Sequence, residues 1–144
     1  MIIAVGCDPA GLRLKAEIIA YLNASHEVKD LGCYTEDPAD YPDYADLVAE
    51  AVKSGAAARG ILICGTAVGM SIAANRHRGI RAVVAGTALG AVMSREHNDS
   101  NVLCFGQWIP TTDNVTEIID AWIFGRFSNG EAHIRRIKKM DGEE

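Results

Sequence analysis

The chain has 144 residues, of which 49% are hydrophobic and 23% are charged, and its formal net charge at pH 7 is -5. This length and composition allow a full hydrophobic core and exclude fibrous and disordered chains. The acidic balance argues against nucleic acid as the main partner, because a surface that follows a phosphate backbone needs clustered Lys and Arg. We therefore expect a single domain over residues 1–144.

The sequence carries no signal for a membrane, a metal or a disulfide scaffold. No apolar run approaches the ~20 residues that span a bilayer. The first residues, MIIAVGCDPAG, lack a basic n-region and are typical of a strand, which predicts a cytoplasmic protein. The cysteines are far apart and form no CxxC pair, so neither a zinc site nor a disulfide framework is expected; they are Cys7, Cys33, Cys64 and Cys104.

Strand-like segments alternate with helix-like segments along the whole chain, which is typical of an α/β sandwich. The predicted strands are residues 2–5, 27–31, 60–63, 79–84 and 101–105. The predicted helices are residues 11–23, 44–53, 70–75, 88–96, 115–124 and 131–140. Pro42 stands near the start of the second helix, where a missing N–H costs little. The pattern predicts a three-layer αβα sandwich around a Rossmann-like, five-stranded parallel sheet.

The most informative stretch is GILICGTAVGMSIAAN, residues 60–75. Its first four residues are short, apolar and β-branched, which predicts a strand covered on both faces. Cys64 stands at the exit of this strand, and residues 65–69 form a glycine-rich turn into the next helix. Backbone N–H groups and the positive end of a helix would converge beside the sulfur. A negative charge that develops on a bound molecule would be stabilised there.

Ligands of open parallel sheets bind at the carboxyl ends of the strands. This rule gathers polar residues at or after four of the predicted elements into one expected crevice; they are Asp8, Tyr41, Cys64, Thr66, His97 and Asn98. Such a set suits acid/base chemistry on a small polar molecule, because a carboxylate and a phenol can orient hydroxyls while a thiolate and an imidazole move protons.

Four segments of the chain resemble the type B ribose-5-phosphate isomerases and their relatives, the galactose-6-phosphate isomerase subunits. They are VGCDPAGLRLK (5–15), DYPDYADLVAEAV (40–52), GILICGTAVGMSIAANRHRGIRAVV (60–84) and SREHNDSNVLCFG (94–106). The resemblance covers nearly the whole length and is specific for the family. It is less specific for the substrate, because the family interconverts several aldoses and ketoses.

The resemblance implies an aldose–ketose isomerase that needs no metal or organic cofactor. It implies that Cys64 is the base that moves a proton between C1 and C2 through an enediolate, and that His97 opens the ring form of the sugar. Further residues implied to orient hydroxyls, relay protons or hold the substrate are Asp8, Tyr41, Thr66, Gly65, Ala67, Val68, Gly69, Asn98 and Arg135. Family members are homodimers or dimers of dimers whose pockets are completed by the partner.

The chain departs from the family where the substrate phosphate is usually held. Where the family usually has an Asp-His pair, this chain has Asp8-Pro9. Where many members carry an arginine after the fifth strand, it has Trp108, and in place of a Gly-Gly-Arg-His stretch it has Asn-Gly-Glu-Ala at residues 129–132. A dianion facing Glu131 would be repelled, and tryptophan cannot replace bidentate arginine contacts. Ala67 also stands where glycine is usual.

Two explanations of these departures stay open. A shifted cluster around Arg135, with Arg136 and His133 within one turn, would still bind phosphate. Alternatively the substrate differs, and is a shorter sugar phosphate or a free sugar that lies against Trp108. We favour a sugar or sugar phosphate other than ribose 5-phosphate.

Other functions also stay open: a partner subunit of a hetero-oligomeric sugar-phosphate isomerase, or a small-ligand-binding module. The missing GxGxxG pattern weakens a nucleotide site, and the presence of Cys64 favours a competent enzyme. Taken singly, Cys64 could be a small buried hydrophobe and His97 a helix-end residue. Trp108 could equally anchor a dimer interface.

Overall fold

The computed structural model of the protein describes residues 1–142. Its strands are β1 (Ile2–Cys7), β2 (Glu27–Asp30), β3 (Arg59–Cys64), β4 (Ala82–Val84) and β5 (Val102–Gly106). Its helices are α1 (Leu12–Leu22), α2 (Tyr41–Lys53), α3 (Val68–Ala74), α4 (Ala88–Asn98), α5 (Val115–Phe124) and α6 (Glu131–Met140). The strands are all parallel and lie in the order β2-β1-β3-β5-β4. The predicted five-stranded parallel sheet is confirmed.

Helices cover both faces of the sheet and divide the core into two halves. Alternate residues of β3 point to opposite faces, so Ile61 and Ile63 pack with α1 and α5, whereas Leu62 and Cys64 pack with α2 and α3. This two-sided burial explains why the strand is a continuous apolar run. Within residues 1–142, every helix is too short or too polar to span a bilayer.

Two predicted boundaries are wrong by three residues each. Helix α2 begins at Tyr41 rather than at residue 44, because Pro42 fits the first turn, where no N–H is needed. Strand β4 covers only Ala82–Val84, because Gly79 turns the chain with a φ of 81° and the N–H of Arg81 donates to the Asn101 side chain instead of a sheet partner.

Helix α2 approaches the sheet closely because both strands beneath it carry a glycine. A Cβ atom on Gly60 would lie 2.5 Å from Cγ1 of Val48, and one on Gly6 would lie 2.9 Å from Cγ2 of the same side chain. Val48 is completely buried in this contact. The packing fixes α2 over β1 and β3, and so fixes its first residue, Tyr41, at the carboxyl edge of the sheet.

We expect Gly60→Ala to lower the free energy of unfolding by about 1–3 kcal/mol, because the added methyl overpacks the α2 contact. Val48→Ala in the same chain makes room for that methyl, so the double variant should lose less than the sum of the single losses. Gly86 has no atom within 4 Å of an added Cβ, so Gly86→Ala is the matched control. Urea denaturation measures all four; strictly additive losses would contradict the packing argument.

Candidate active site

The turn between β3 and α3 surrounds the thiol of Cys64. This residue ends β3 and is only 5% exposed. Its Sγ accepts a hydrogen bond from the N–H of Ala67 at 3.2 Å. Ala67 has a left-handed φ of 70° directly before α3, a conformation that costs a residue with a Cβ about 1–2 kcal/mol. The turn therefore keeps a strained backbone that aims an N–H group at the sulfur.

Two backbone N–H groups of the predicted anion site already donate hydrogen bonds within the turn. Besides the Ala67 amide, the N–H of Val68 donates to Oγ1 of Thr66 at 3.3 Å. Thr66 is exposed, so its hydroxyl can exchange this contact for one to a bound molecule. A ligand at the turn thus competes with local hydrogen bonds rather than meeting only free amides.

Two aromatic rings lie on the glycines at either end of the turn. A Cβ atom on Gly65 would lie 2.5 Å from the Trp108 ring, and one on Gly69 would lie 2.8 Å from the Tyr41 ring. Trp108 is 70% exposed and Tyr41 is 41% exposed. The two glycines permit this close approach, and the rings form open walls on either side of the turn.

The loop after β5 is fastened to the same turn by its backbone. The N–H of Gln107 donates to the carbonyl of Cys64 at 2.8 Å, and the N–H of Trp108 donates to the carbonyl of Gly65 at 2.9 Å. The backbone position of residue 108 is therefore set by main-chain contacts, which any residue other than proline can make.

Asp8 follows β1 at the same edge of the sheet. Its N–H donates to the carbonyl of Ile63 at 3.2 Å, and its Oδ1 is buried with no hydrogen-bond partner among the described residues. Burial raises the pKa of the Asp8 carboxyl, against the opposing effect of N–H groups at Ala10 and Gly11. The residue borders an open depression of about 660 Å³ lined by Asp8, Pro9, Ala10, Pro38, Ala39, Asp40 and Asp43. A buried carboxylate oxygen without a partner marks a position where a bound molecule or a water can supply the missing hydrogen bond.

The other cysteines are in different surroundings. Burial, with the nearby Cys33, raises the pKa of the Cys7 thiol to about 12. Burial, with the nearby Cys64, also raises the pKa of the Cys104 thiol. Among the thiols of residues 1–142, only Cys64 accepts a hydrogen bond from a backbone N–H. No three His, Cys, Asp or Glu side chains in that part of the chain are grouped to hold a metal ion.

His97 and Asn98 do not lie near Cys64 in the same chain, so the single crevice predicted for them is wrong. Helix α4 starts at the carboxyl edge after β4 and runs back across its eleven residues, a distance of about 16 Å. The carbonyl of Asn98 accepts a hydrogen bond from Arg81, the residue directly before β4. Both residues therefore lie at the amino edge of the sheet.

Arg135 lies at that same amino edge. It is an exposed residue of α6, the helix that contacts the end of α4 through His133. The rings of His97 and His133 have centroids 4.6 Å apart at an angle of 38°. Nδ1 of His133 is 2.6 Å from Oγ of Ser128. Sequence reasoning missed this pair of imidazoles, because no periodicity relates positions so far apart in the chain.

Comparison with known proteins places the chain in one family. The family model "Ribose/Galactose Isomerase" matches residues 3–140. Ribose-5-phosphate isomerase B of Escherichia coli K12 is 46% identical over 99% of this chain and 95% of its own length. Ribose-5-P isomerase B of Listeria innocua is 35% identical over 98% of this chain and 97% of its own.

Solved structures agree with the sequence relatives. Ribose-5-phosphate isomerase B of Clostridium thermocellum superposes with a TM-score of 0.94 at 45% identity, covering 99% of this chain and 96% of that one. The Thermotoga maritima enzyme gives a TM-score of 0.93 at 41% identity, covering 98% and 97%. The chain therefore belongs to the ribose/galactose isomerase family of sugar-phosphate isomerases.

Proposed function

We propose that the chain interconverts an aldose and a ketose by proton transfer between C1 and C2 through an enediolate, with Cys64 as the base. The observation that carries this proposal is the hydrogen bond from the Ala67 N–H to Sγ of Cys64 at the carboxyl edge of the sheet. No other thiol among the described residues has such a donor, and burial raises the thiol pKa of Cys7 and Cys104.

The proposed reaction needs groups that hold the sugar while the proton moves. Cys64 takes the proton from C2 of the aldose, the C–H electrons form the C1–C2 double bond of the enediolate, and the carbonyl electrons move onto O1. The O2 hydroxyl proton passes to O1 as the C2 carbonyl forms, and Cys64 returns its proton to C1 to give the ketose. Negative charge grows on the former carbonyl oxygen, where N–H donors of a fixed turn act most strongly. The hydroxyls of Thr66 and Tyr41 and the unpaired Oδ1 of Asp8 are the candidates for orienting sugar hydroxyls.

The partner-subunit and binding-module functions are not favoured. The chain keeps the proposed base, and its relatives with 46% and 35% identity over nearly its full length carry the names of isomerases.

We expect Cys64→Ala to lower solvent-deuterium incorporation at C2 of the substrate by about 10²- to 10⁴-fold, the usual contribution of a positioned base. Four- to six-carbon aldoses, phosphorylated and free, form the panel. Cys104→Ala removes a buried thiol from the neighbouring strand β5 and serves as the matched control, which should keep its exchange rate. Exchange that survives in Cys64→Ala would rule out this thiol as the base.

We further propose that ribose 5-phosphate is not the best substrate. Carboxylates line the depression that Asp8 borders, namely Asp8, Asp40 and Asp43, and Pro9 brings no donor to it. The backbone-fixed position over Gly65 carries the indole of Trp108 rather than a guanidinium. A phosphate dianion therefore meets negative charge in the depression and an apolar ring over Gly65.

Trp108→Arg should raise kcat/KM for ribose 5-phosphate by about tenfold or more, because a hydrogen bond to a charged group contributes about 1.5–3 kcal/mol. Trp108→Gln removes the indole without adding charge and should give no such gain. Steady-state kinetics on the sugar panel measures both. A wild-type preference for ribose 5-phosphate over every other sugar would contradict the substrate proposal.

The proposed function also includes a partner chain, because His97, proposed to open the sugar ring, and Arg135 lie at the edge opposite Cys64. Two copies packed antiparallel along their β4 edges would bring the amino edge of one copy to the carboxyl edge of the other. The elements at that edge expose apolar side chains at helical spacing on α3 and α4 and on the edge strand itself: Val68, Ile72, Val84, Leu89 and Met93. We infer a homodimer whose sites are shared.

A mixture of Cys64→Ala and His97→Ala chains tests the shared site. Each single variant should be impaired on a ring-forming sugar, but a mixed dimer keeps one site with an intact Cys64 and an intact His97. Random mixing of equal amounts should restore about one quarter of the wild-type rate. If both residues served the same chain's site, no mixed dimer would contain an intact site and no activity would return.

A further inference from the structure

A second imidazole lies against His97, and the proposed proton transfer does not use it. We propose that His133 is a positioning residue for His97, held in turn by Ser128. The proposal rests on the ring-opening role proposed for His97.

Three contacts of Ser128 hold His133 beside His97. The N–H of Ser128 donates to the carbonyl of Glu96 at 3.0 Å, which fastens this segment to α4 next to His97. Oγ of Ser128 accepts the N–H of Gly130 at 3.1 Å and lies 2.6 Å from Nδ1 of His133. The Ser128 hydroxyl can donate to Nδ1 or accept its proton, and either hydrogen bond fixes the His133 ring.

The face of His133 is thereby turned to His97. Their centroids are 4.6 Å apart, within the range in which offset or tilted aromatic pairs stabilise each other by about 0.5–1.5 kcal/mol. Phe127, with its ring centroid 6.5 Å from that of His133, also lies beside this ring. Both imidazoles are partly buried, which limits the space into which His97 could rotate.

The contact with His133 is a ring-to-ring contact. Within residues 1–142, no hydrogen bond reaches either nitrogen of its ring, so both remain available to a bound molecule. An imidazole whose orientation is fixed before the substrate arrives loses less freedom in the transition state. His133 therefore contributes to the rate through His97 and need not touch the sugar.

The orientation of His97 matters for the proposed ring opening. The bond from C1 to the ring oxygen breaks, His97 delivers a proton to that oxygen, and C1 and O1 form the carbonyl as the O1 proton leaves to water. Proton transfer of this kind needs a nitrogen within hydrogen-bond reach of the ring oxygen. A freely rotating imidazole would meet that condition only part of the time.

Anomer exchange in a Cys64→Ala background isolates this step, because ring opening and closing does not require the base at C2. Magnetisation transfer between the α and β anomers measures it for ribose 5-phosphate and for five- and six-carbon aldoses with and without phosphate. Adding His133→Ala should slow the catalysed exchange by about 2- to 10-fold at saturating sugar, with little change in the sugar concentration at half-saturation.

Further variants test whether the ring of His133 is what matters and supply a control. His133→Phe keeps a ring face towards His97 and should retain most of the exchange, and Ser128→Ala should fall between the two. Lys138→Ala changes an exposed residue of the same helix and should leave the rate unchanged. Thermal unfolding of each variant checks that α6 remains docked.

Equal exchange rates in the parent and in His133→Ala would overturn the proposal, as would a His133→Phe variant as slow as His133→Ala. Anomer exchange in the parent that does not exceed the buffer rate would also overturn it, because His97 would then open no ring. Deuterium incorporation at C2 by the unmodified enzyme is measured separately. A negative result in the anomer-exchange experiment would therefore leave the isomerase proposal standing.

Discussion

The hydrogen bond from Ala67 to the sulfur of Cys64 depends on a turn that several other elements hold in place. Register between β3 and β5 sets Cys64 opposite Gly106, and a Cβ atom on Gly106 would lie 2.7 Å from the backbone of Thr66. The absence of side chains at these close contacts lets the turn and the loop after β5 meet. A left-handed alanine is then tolerable, because packing on all sides compensates for its backbone strain.

The direction of the crossover helices divides the candidate site between two edges of the sheet. A helix that joins parallel strands must return the chain from the carboxyl edge to the amino edge, so only its first residues share an edge with Cys64. Tyr41 begins α2 and meets that condition, whereas His97 and Asn98 end α4 and do not. The same geometry makes a second copy the simplest way to unite an imidazole with the thiol.

The sequence predicted the sheet well because each strand carries its burial in its own residues. It also located Asp8 and Cys64 correctly at the carboxyl edge, since strand ends can be read locally. The sequence did not predict contacts between residues that lie far apart along the chain. The contact of His133 with His97 depends on how α6 docks on α4, and no local pattern encodes that contact. The unpaired Oδ1 of Asp8 likewise follows from three-dimensional packing that surrounds the carboxyl group.

Main-chain contacts explain how the turn around Cys64 can be kept while the side chains around it change. The residue at position 108 reaches Gly65 through backbone hydrogen bonds that do not depend on its side chain. An indole and a guanidinium at this position would attract different ligand groups, yet either would leave Cys64 and Ala67 in register. The position of Pro9 is also set by the backbone, because Pro9 follows Asp8, whose N–H donates to the carbonyl of Ile63 in β3. Substrate preference can therefore diverge at the walls of this site without disturbing the thiol at its base.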